Sequence, residues 1–403
     1  MKITFNRTKY LLIGLCTCSL LIQTGCWSKD EIEELSIYVG VALDQAKETK
    51  LEAKLGKLAV NANDRKLLSV TLQIVNKQSE EKGGNSAGDP ATKAYLNVSE
   101  TGDSIIDMIR QLSTRMERPA IGHHLKVIVI NEQLARHKSM YQLLDFFLRD
   151  NDIRPNCVVM MSSGLAKHTL EAKGNSIVPA FRLMGMLENR YRTLKIMPRM
   201  TLYKLEKHMH AESSYMLQNV VAAEGEVKLS GAAVIKGKTQ KFRGLLNEEE
   251  LLGVILLSGE AEGGIIKCVN EKTNEMIAYE LKAMNSEIYT SVDGDNVSFD
   301  VKMKSEGRII EDWSENSGPI DDAYRAGVEQ SVEREIMRLA KQGLDKIQKE
   351  YKADVVGFGT RLSIEQPKLW QKVKKNWDQA FSRIPITYSV ELTITETGTE
   401  KSQ

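Results

Sequence analysis

A thiol at Cys26 follows Gln23, Thr24 and Gly25, closing a short apolar run from Tyr10 to Ile22 that Lys2, Arg7 and Lys9 precede. A run this brief, with a positive start and small residues behind it, has the make-up of a removable export segment and not of a bilayer span. The chemistry expected at such a cysteine is transfer of a diacylglyceryl group to sulfur, cleavage after Gly25 and acylation of the new amino group. Residues 1–25 are therefore predicted to be a lipoprotein signal peptide, and the mature chain to be tethered. Two acyl chains suffice for stable attachment, since each buried methylene contributes about 0.8 kcal/mol. Gln23 departs from the aliphatic residue usual three places before the cysteine, with Ile22 one place further out. An ordinary secretory peptide and an uncleaved N-terminal anchor are the other readings.

Other spacings that invite chemistry carry none. Gly231 to Thr239 ends in Gly-Lys-Thr like a phosphate loop, but five residues separate Gly231 from Gly237 where that loop needs four. The stretch reads as strand, turn, strand, leaving no helix N-terminus to cradle a phosphate. His208 and His210 point about 200° apart on a helix, and His123 and His124 face opposite sides of a strand, so neither pair suits a shared metal. Asp293 and Asp295 begin like a calcium loop whose closing glutamate is replaced by Lys304. There is no G-x-S-x-G elbow, no H-E-x-x-H and no glycine fingerprint after a strand. Asp321 with Asp322, and Glu248 to Glu250, sit at helix starts where capping and the helix dipole account for them. The expectation is a protein that is not an enzyme, with no catalytic residue, no metal and no cofactor beyond the covalent diacylglycerol and N-acyl group on Cys26.

A chain of 403 residues exceeds one compact core, and domain sizes favour two or three units. Removing residues 1–25 takes away three basic groups and leaves 52 Lys+Arg against 54 Asp+Glu. That balance gives no drive toward nucleic acid and implies no polybasic lipid-binding patch. Cys157 and Cys268 remain in the folded part, in different halves, and read as separate buried residues.

The elements that must position these residues follow from periodicity. Ile37, Val39, Val41 and Leu43 alternate in a first strand over 32–44, and a second spans Leu67 to Val75. Gln78 to Pro90 lacks large apolar residues and reads as a mobile loop. Ile105, Ile109, Leu112 and Met116 share a helical face capped by Thr101 or Asp103. A strand at Leu125 to Ile130, a helix at Glu132 to Leu148 and a strand at Cys157 to Met161 make crossover units of an α/β layer. Helices are expected at Leu165 to Lys173 and Val178 to Arg192, ending this domain (26–195) near Pro198.

A small middle domain (196–262) is then expected. It holds a helix at Leu202 to His210, strands at Val220 to Glu224, Leu229 to Lys236 and Phe242 to Leu246, and a helix at Glu248 to Leu257 capped by Asn247. In the C-terminal domain (263–403), Asp293-Gly294 marks a hairpin turn before Val297, Phe299, Val301 and Met303. A helix from Asp321 to Tyr351 buries Val328, Val332, Ile336, Leu339 and Ile347, and Ile386 to Ile394 alternate in a last strand. Asp354 to Gly359 suits a tight turn returning Trp370 and Trp377 to that helix, core packing being the plainer role for both rings. Trp27, beside the lipid, suits the headgroup region. The fold class is mixed α/β and α+β, with sheets packed on helices.

Three stretches resemble the Ger(x)C family, the lipoprotein C subunits of spore germinant receptors. They are Gly25-Cys26-Trp27-Ser28-Lys29-Asp30-Glu31-Ile32 with Val39 to Asp44; His124 through Lys126 to Ile130, continuing to Asp145-Phe146 and Arg149-Asp150; and Ala353-Asp354-Val355-Val356-Gly357-Phe358-Gly359 with Pro367, Trp370, Trp377 and Phe381. Gly231-Ala232-Ala233-Val234 with Lys241, Gly244, Leu245 and Glu249 matches the family's middle signature. An Arg-Gly ending after the last strand is missing. The resemblance implies three domains of mixed α/β architecture and a role without turnover. It also implies a place on the outer face of the spore inner membrane beside two membrane-embedded partners, the A and B subunits. The permease-like B subunit is then where nutrient recognition falls, and the C subunit is a scaffold. A lipid-anchored solute-binding protein of a transporter is the alternative reading, and it needs a deep cleft between two similar α/β lobes. An anchored envelope hydrolase lacks any motif.

Overall fold

The computed structural model describes residues 35–47, 49–55, 67–76, 93–173, 177–271, 273–314 and 322–396. Gly25, Cys26, Trp27 and the loop expected at Gln78 to Pro90 lie outside them.

The first sheet has nine strands, and its core is a parallel set flanked by antiparallel hairpins. In chain order come β1 (Ser36–Gln45), α1 (Lys50–Leu55), β2 (Leu68–Val75), β3 (Tyr95–Gly102), α2 (Ile105–Leu112), β4 (Ala120–Ile121), β5 (Val127–Asn131), α3 (Glu132–His137), α4 (Met140–Arg149) and β6 (Val158–Ser162). Then follow α5 (Ala166–Thr169), α6 (Pro179–Glu188), α7 (Leu202–His210), β7 (Tyr215–Ala223), β8 (Glu226–Lys236), β9 (Lys241–Leu246) and α8 (Glu248–Ser258). Their spatial order is β3-β2-β1-β5-β6-β7-β8-β9, with β4 beside β1. β1, β5, β6 and β7 run parallel. Apolar residues of α2, α3, α4 and α7 cover one face, and those of α5 and α6 the other. Burial on both faces makes β1 solvent-free from Tyr38 to Asp44. A bulge between Tyr38 and Gly40 also switches its faces, so Val39 and Val41 pack on opposite layers, not together as the alternation suggested.

Several boundaries differ from the sequence reading. The helix expected from Glu132 to Leu148 is two, because Ser139 and Gln142 form a capping box that starts α4 afresh. Ser104, not Thr101 or Asp103, caps α2, and Met116 lies beyond its end. The helix expected over Leu165 to Lys173 is a single turn, and the one over Val178 to Arg192 tightens to a 3-10 turn after Glu188. His123 and His124 sit in the turn ahead of β5, not on a strand. The strands expected in a middle unit extend the first sheet, β7 pairing with β6 and β8 and β9 following antiparallel. The sheet thus crosses residue 195 without losing its pairing, because unpaired edge groups on β6 and β7 would otherwise have to be satisfied elsewhere.

The second sheet comprises β10 (Gly264–Val269), β11 (Met276–Asp293), β12 (Asn296–Asp312) and β13 (Ile386–Glu396), in that order, with β12 and β13 parallel. Asp293 pairs with Asn296 across the foreseen hairpin turn. Between β12 and β13 the chain builds α9 (Asp322–Asp345) with a π-helical turn over Lys346–Tyr351, then α10 (Phe358–Glu365), α11 (Pro367–Val373), a 3-10 turn (Lys374–Asn376) and α12 (Trp377–Phe381). Val328, Val332, Ile336, Leu339 and Ile347 are buried against the sheet, as the period predicted. At the edge of this sheet the backbone N–H groups of Leu392 and Ile394 donate to the carboxylates of Glu333 (3.3 Å) and Glu329 (3.0 Å) on α9.

Gly231, the supposed first glycine of a phosphate loop, lies within β8 at φ +67°, where a Cβ would run into the Leu246 carbonyl oxygen of β9. Gly231→Ala is expected to cost at least about 2 kcal/mol, read as a lower urea midpoint at unchanged m-value.

Candidate functional site

The most constrained polar group among the described residues is the carboxylate of Asp354, 8% exposed. It lies two residues beyond Lys352, whose left-handed conformation (φ 52°) ends the long helix. One oxygen accepts from the N–H of Gly357 (2.8 Å) and Phe358 (3.1 Å), and the other from the N–H of Gly359 (2.7 Å) and the indole Nε1 of Trp377 (3.0 Å). Three of these donors are the unpaired N–H groups at the start of α10, so Asp354 caps that helix from outside it. Gly357, at φ +104°, supplies the backbone bend. Burial pushes the Asp354 carboxyl above its ordinary range, and the four donors pull against it.

An aromatic chain grows from this turn. Trp370 meets Trp377 edge-on at 5.2 Å, Trp377 lies 6.1 Å from Phe381, Phe381 stacks on Phe358 at 5.7 Å, and Phe358 reaches Phe299 of β12 at 5.1 Å. Gln348, in the π turn, donates to the carbonyls of Phe381 (2.9 Å) and Ile384 (2.8 Å). Tyr351 donates its hydroxyl proton to the Leu245 carbonyl of β9 (2.6 Å), and Arg243 returns bonds to the carbonyls of Tyr351 and Glu350. Lys236 of β8 pairs with Asp378 of α12 at 2.9 Å. The cluster is therefore one joint between the two sheets, beside the close packing of α8 on α9 at Gly253 and Gly343. With both Asp354 oxygens occupied, no lone pair is free for proton transfer, and the arrangement holds shape.

The structure brings Asp354, Gly357, Phe358, Gly359, Trp370 and Trp377 together and leaves the other sequence-selected residues apart. His124 stands before β5, its imidazole held below the usual range by burial and then by the Arg154 and Lys126 cations. Lys126 uses its backbone to bridge β1 and β6, bonding Val39 and Val158. Asp145 and Arg149 form an exposed i,i+4 pair at 2.8 Å, and Asp150 accepts from the N–H of Asp152. Gly231 serves β8. Cys157 and Cys268 are buried and unpaired, and burial raises both thiols, that of Cys268 to about 11. Asn247 and Glu250 form a capping box, while Glu248 bonds Lys228 (2.6 Å), Lys195 and Ser230 (3.0 Å). Gln348, Tyr351 and Arg243 were not legible beforehand, because their partners lie 33 to 108 residues away.

A mixed nine-stranded sheet joined through such an aromatic turn to a four-stranded α+β layer defines a class with a solved member. The structure titled "Crystal Structure of the GerBC protein" matches with a TM-score of 0.59 at 24% identity, covering 82% of this chain and 94% of that one. A model described as "Spore germination protein N-terminal domain" matches residues 28–221, and one described as "Spore germination B3/ GerAC like, C-terminal" matches 230–398. Spore germination protein YndF of Bacillus subtilis (strain 168) is 40% identical over the whole of both chains. Spore germination proteins B3 and A3 of the same organism are each 27% identical over 98% of this chain, covering 98% and 99% of their own lengths. The chain belongs to the spore germination B3/GerAC-like family, and a role in spore germination goes with that membership.

Asp354→Ala should lower stability by roughly 3–4 kcal/mol and shift tryptophan emission to the red, whereas Trp377→Phe, which leaves three donors satisfied, should cost about 1–2 kcal/mol. Urea unfolding followed by circular dichroism separates the two; a loss below about 1 kcal/mol for Asp354→Ala would show that the turn holds without its acceptor. Glu248, drawn down to about 2 by Lys195, Lys228 and then Ser230, has a depressed pKa, so its contribution is complete above the usual glutamate range and fades as pH falls through about 2. For this partly solvated group, Glu248→Gln should cost about 0.5–1 kcal/mol at neutral pH and nothing at the acid end of a pH series of melts.

Proposed function

We propose that the protein is the lipid-anchored C subunit of a spore germinant receptor, a binding and scaffold component without turnover of its own. The observation that carries this reading is Cys26 set behind a basic start and a short apolar run in a chain related along 98% of its length to spore germination proteins B3 and A3. The anchor is diacylglycerol on the sulfur of Cys26, with an acyl group on its amino nitrogen after cleavage behind Gly25. It holds the chain on the outer face of the spore inner membrane, where the membrane-embedded A and B subunits are its partners. Among the described residues no helix is long and apolar enough to cross a membrane, which suits attachment through acyl chains.

Two features favour scaffold over catalyst. The best-defined carboxylate, Asp354, is saturated by donors. The family-matching residues from Asp354 to Trp377 also cluster where the two sheets meet, which serves rigidity. A solute-binding reading gains nothing from the two sheets, since they differ in strand number and connectivity and form no pair of similar lobes.

Cys26→Ala is expected to move the protein out of the spore inner-membrane fraction and to slow nutrient-triggered germination. Fractionation and germination assays that both match the parent strain would overturn the anchor, as would an intact mass showing an unmodified thiol at residue 26.

A further inference from the structure

A near-neutral chain hides one strongly basic face. Between Pro367 and Asn376 there are four lysines and no acidic residue. α11 turns Leu369, Trp370 and Val373 toward the aromatic turn, and Lys368 and Lys372, spaced i, i+4, form an exposed stripe on the opposite side with Gln371 beside it, extended by the exposed Lys375 in the 3-10 turn that follows. Lys374 is exposed on the flank. Like charges spaced i, i+4, as Lys368 and Lys372 are, weaken a helix. Among the described residues, Lys368, Lys374 and Lys375 have no ion-pair partner, and Lys372 meets only Asp295 at the hairpin tip, both side chains being well exposed. Such an exposed pair is easily exchanged for another anion. Ile364, on the preceding helix, is 69% exposed.

We propose that this lysine face of α11 docks on an anionic phospholipid surface, giving the protein a second point of contact with the bilayer beside its acyl anchor. The inference rests on the lipidation of Cys26 only for bringing a bilayer within reach. Charge complementarity selects the occupant: each lysine within a Debye length of an anionic surface raises partition about five-fold, so the three of the stripe give about a hundred-fold. Headgroups suit the face better than nucleic acid does. Of the rings that would stack on bases, Trp377 is turned toward Asp354 and Phe381 and Trp370 packs edge-on against Trp377, and 367–376 contains no arginine.

The test uses the full-length lipoprotein reconstituted into phosphatidylcholine vesicles with or without phosphatidylglycerol. A nitroxide on Gln371→Cys reports distance to nickel-chelating lipids, Cys157 and Cys268 being buried. Relaxation should be stronger with phosphatidylglycerol. It should fall to the phosphatidylcholine level in the Lys368→Gln/Lys372→Gln/Lys375→Gln variant, and also when salt rises from about 0.1 to about 1 M, which shortens the Debye length from about 10 to about 3 Å. The salt and lipid arms need no variant, so they decide the matter even if the triple substitution disturbs folding. Sedimentation with phosphatidylcholine alone reads the anchor separately. If the protein sediments with both vesicles but the label senses no difference, the lysine face is not a lipid contact and the anchor stands. If it sediments only with phosphatidylglycerol and loses this in the triple variant, the anchor falls and the face stands.

Discussion

Four N–H groups converge on the carboxylate of Asp354, and the arrangement of the C-terminal half follows from satisfying them. A buried carboxylate without such donors would be costly, and three unpaired backbone N–H groups at the start of α10 would be costly too. Each cancels the other, and the fourth donor, from Trp377, ties in a segment that the local chain would leave free. The long helix then reaches back through Tyr351 to β9 and outward through Gln348 to the end of α12. The carboxylate thus fixes the turn from which the contacts to the first sheet are made.

The parts legible in the sequence were those whose pattern is local. The apolar period from Val328 to Ile347 declared a long helix, strict alternation declared β12 and β13, and Asp293-Gly294 declared the hairpin that leads into β12. Asp354 to Gly359 was read as a turn and the two tryptophans as packed, and both are so. Trp377, however, meets the Asp354 carboxylate and Phe381, and Trp370 meets Trp377, more directly than either meets the long helix. β3 escaped notice because its sequence, Tyr95 to Gly102, is mostly polar, and its strand character comes from pairing with β2. A separate middle unit was expected for the same reason: pairing between β6 and β7 leaves no trace in either strand.

Charge followed the same division. The sum over the chain is close to neutral, and neutrality argued against any basic patch. Sums discard position, and the helical period that turns Trp370 inward is the one that gathers Lys368 and Lys372 outward, with Lys375 exposed in the turn that follows. The residues that pack on the turn and those that make the surface lie on alternate sides of the short stretch from Lys368 to Lys375.

Glu329 and Glu333 have a meaning for crowding. By taking up the outward N–H groups of Leu392 and Ile394, they occupy donors with which a neighbouring chain could extend the second sheet at that margin. Molecules with an open strand edge are exposed to ladder growth from one copy to the next. Here that route is blocked over the last part of β13, which steers association at this edge toward side chains, where complementarity can discriminate among neighbours.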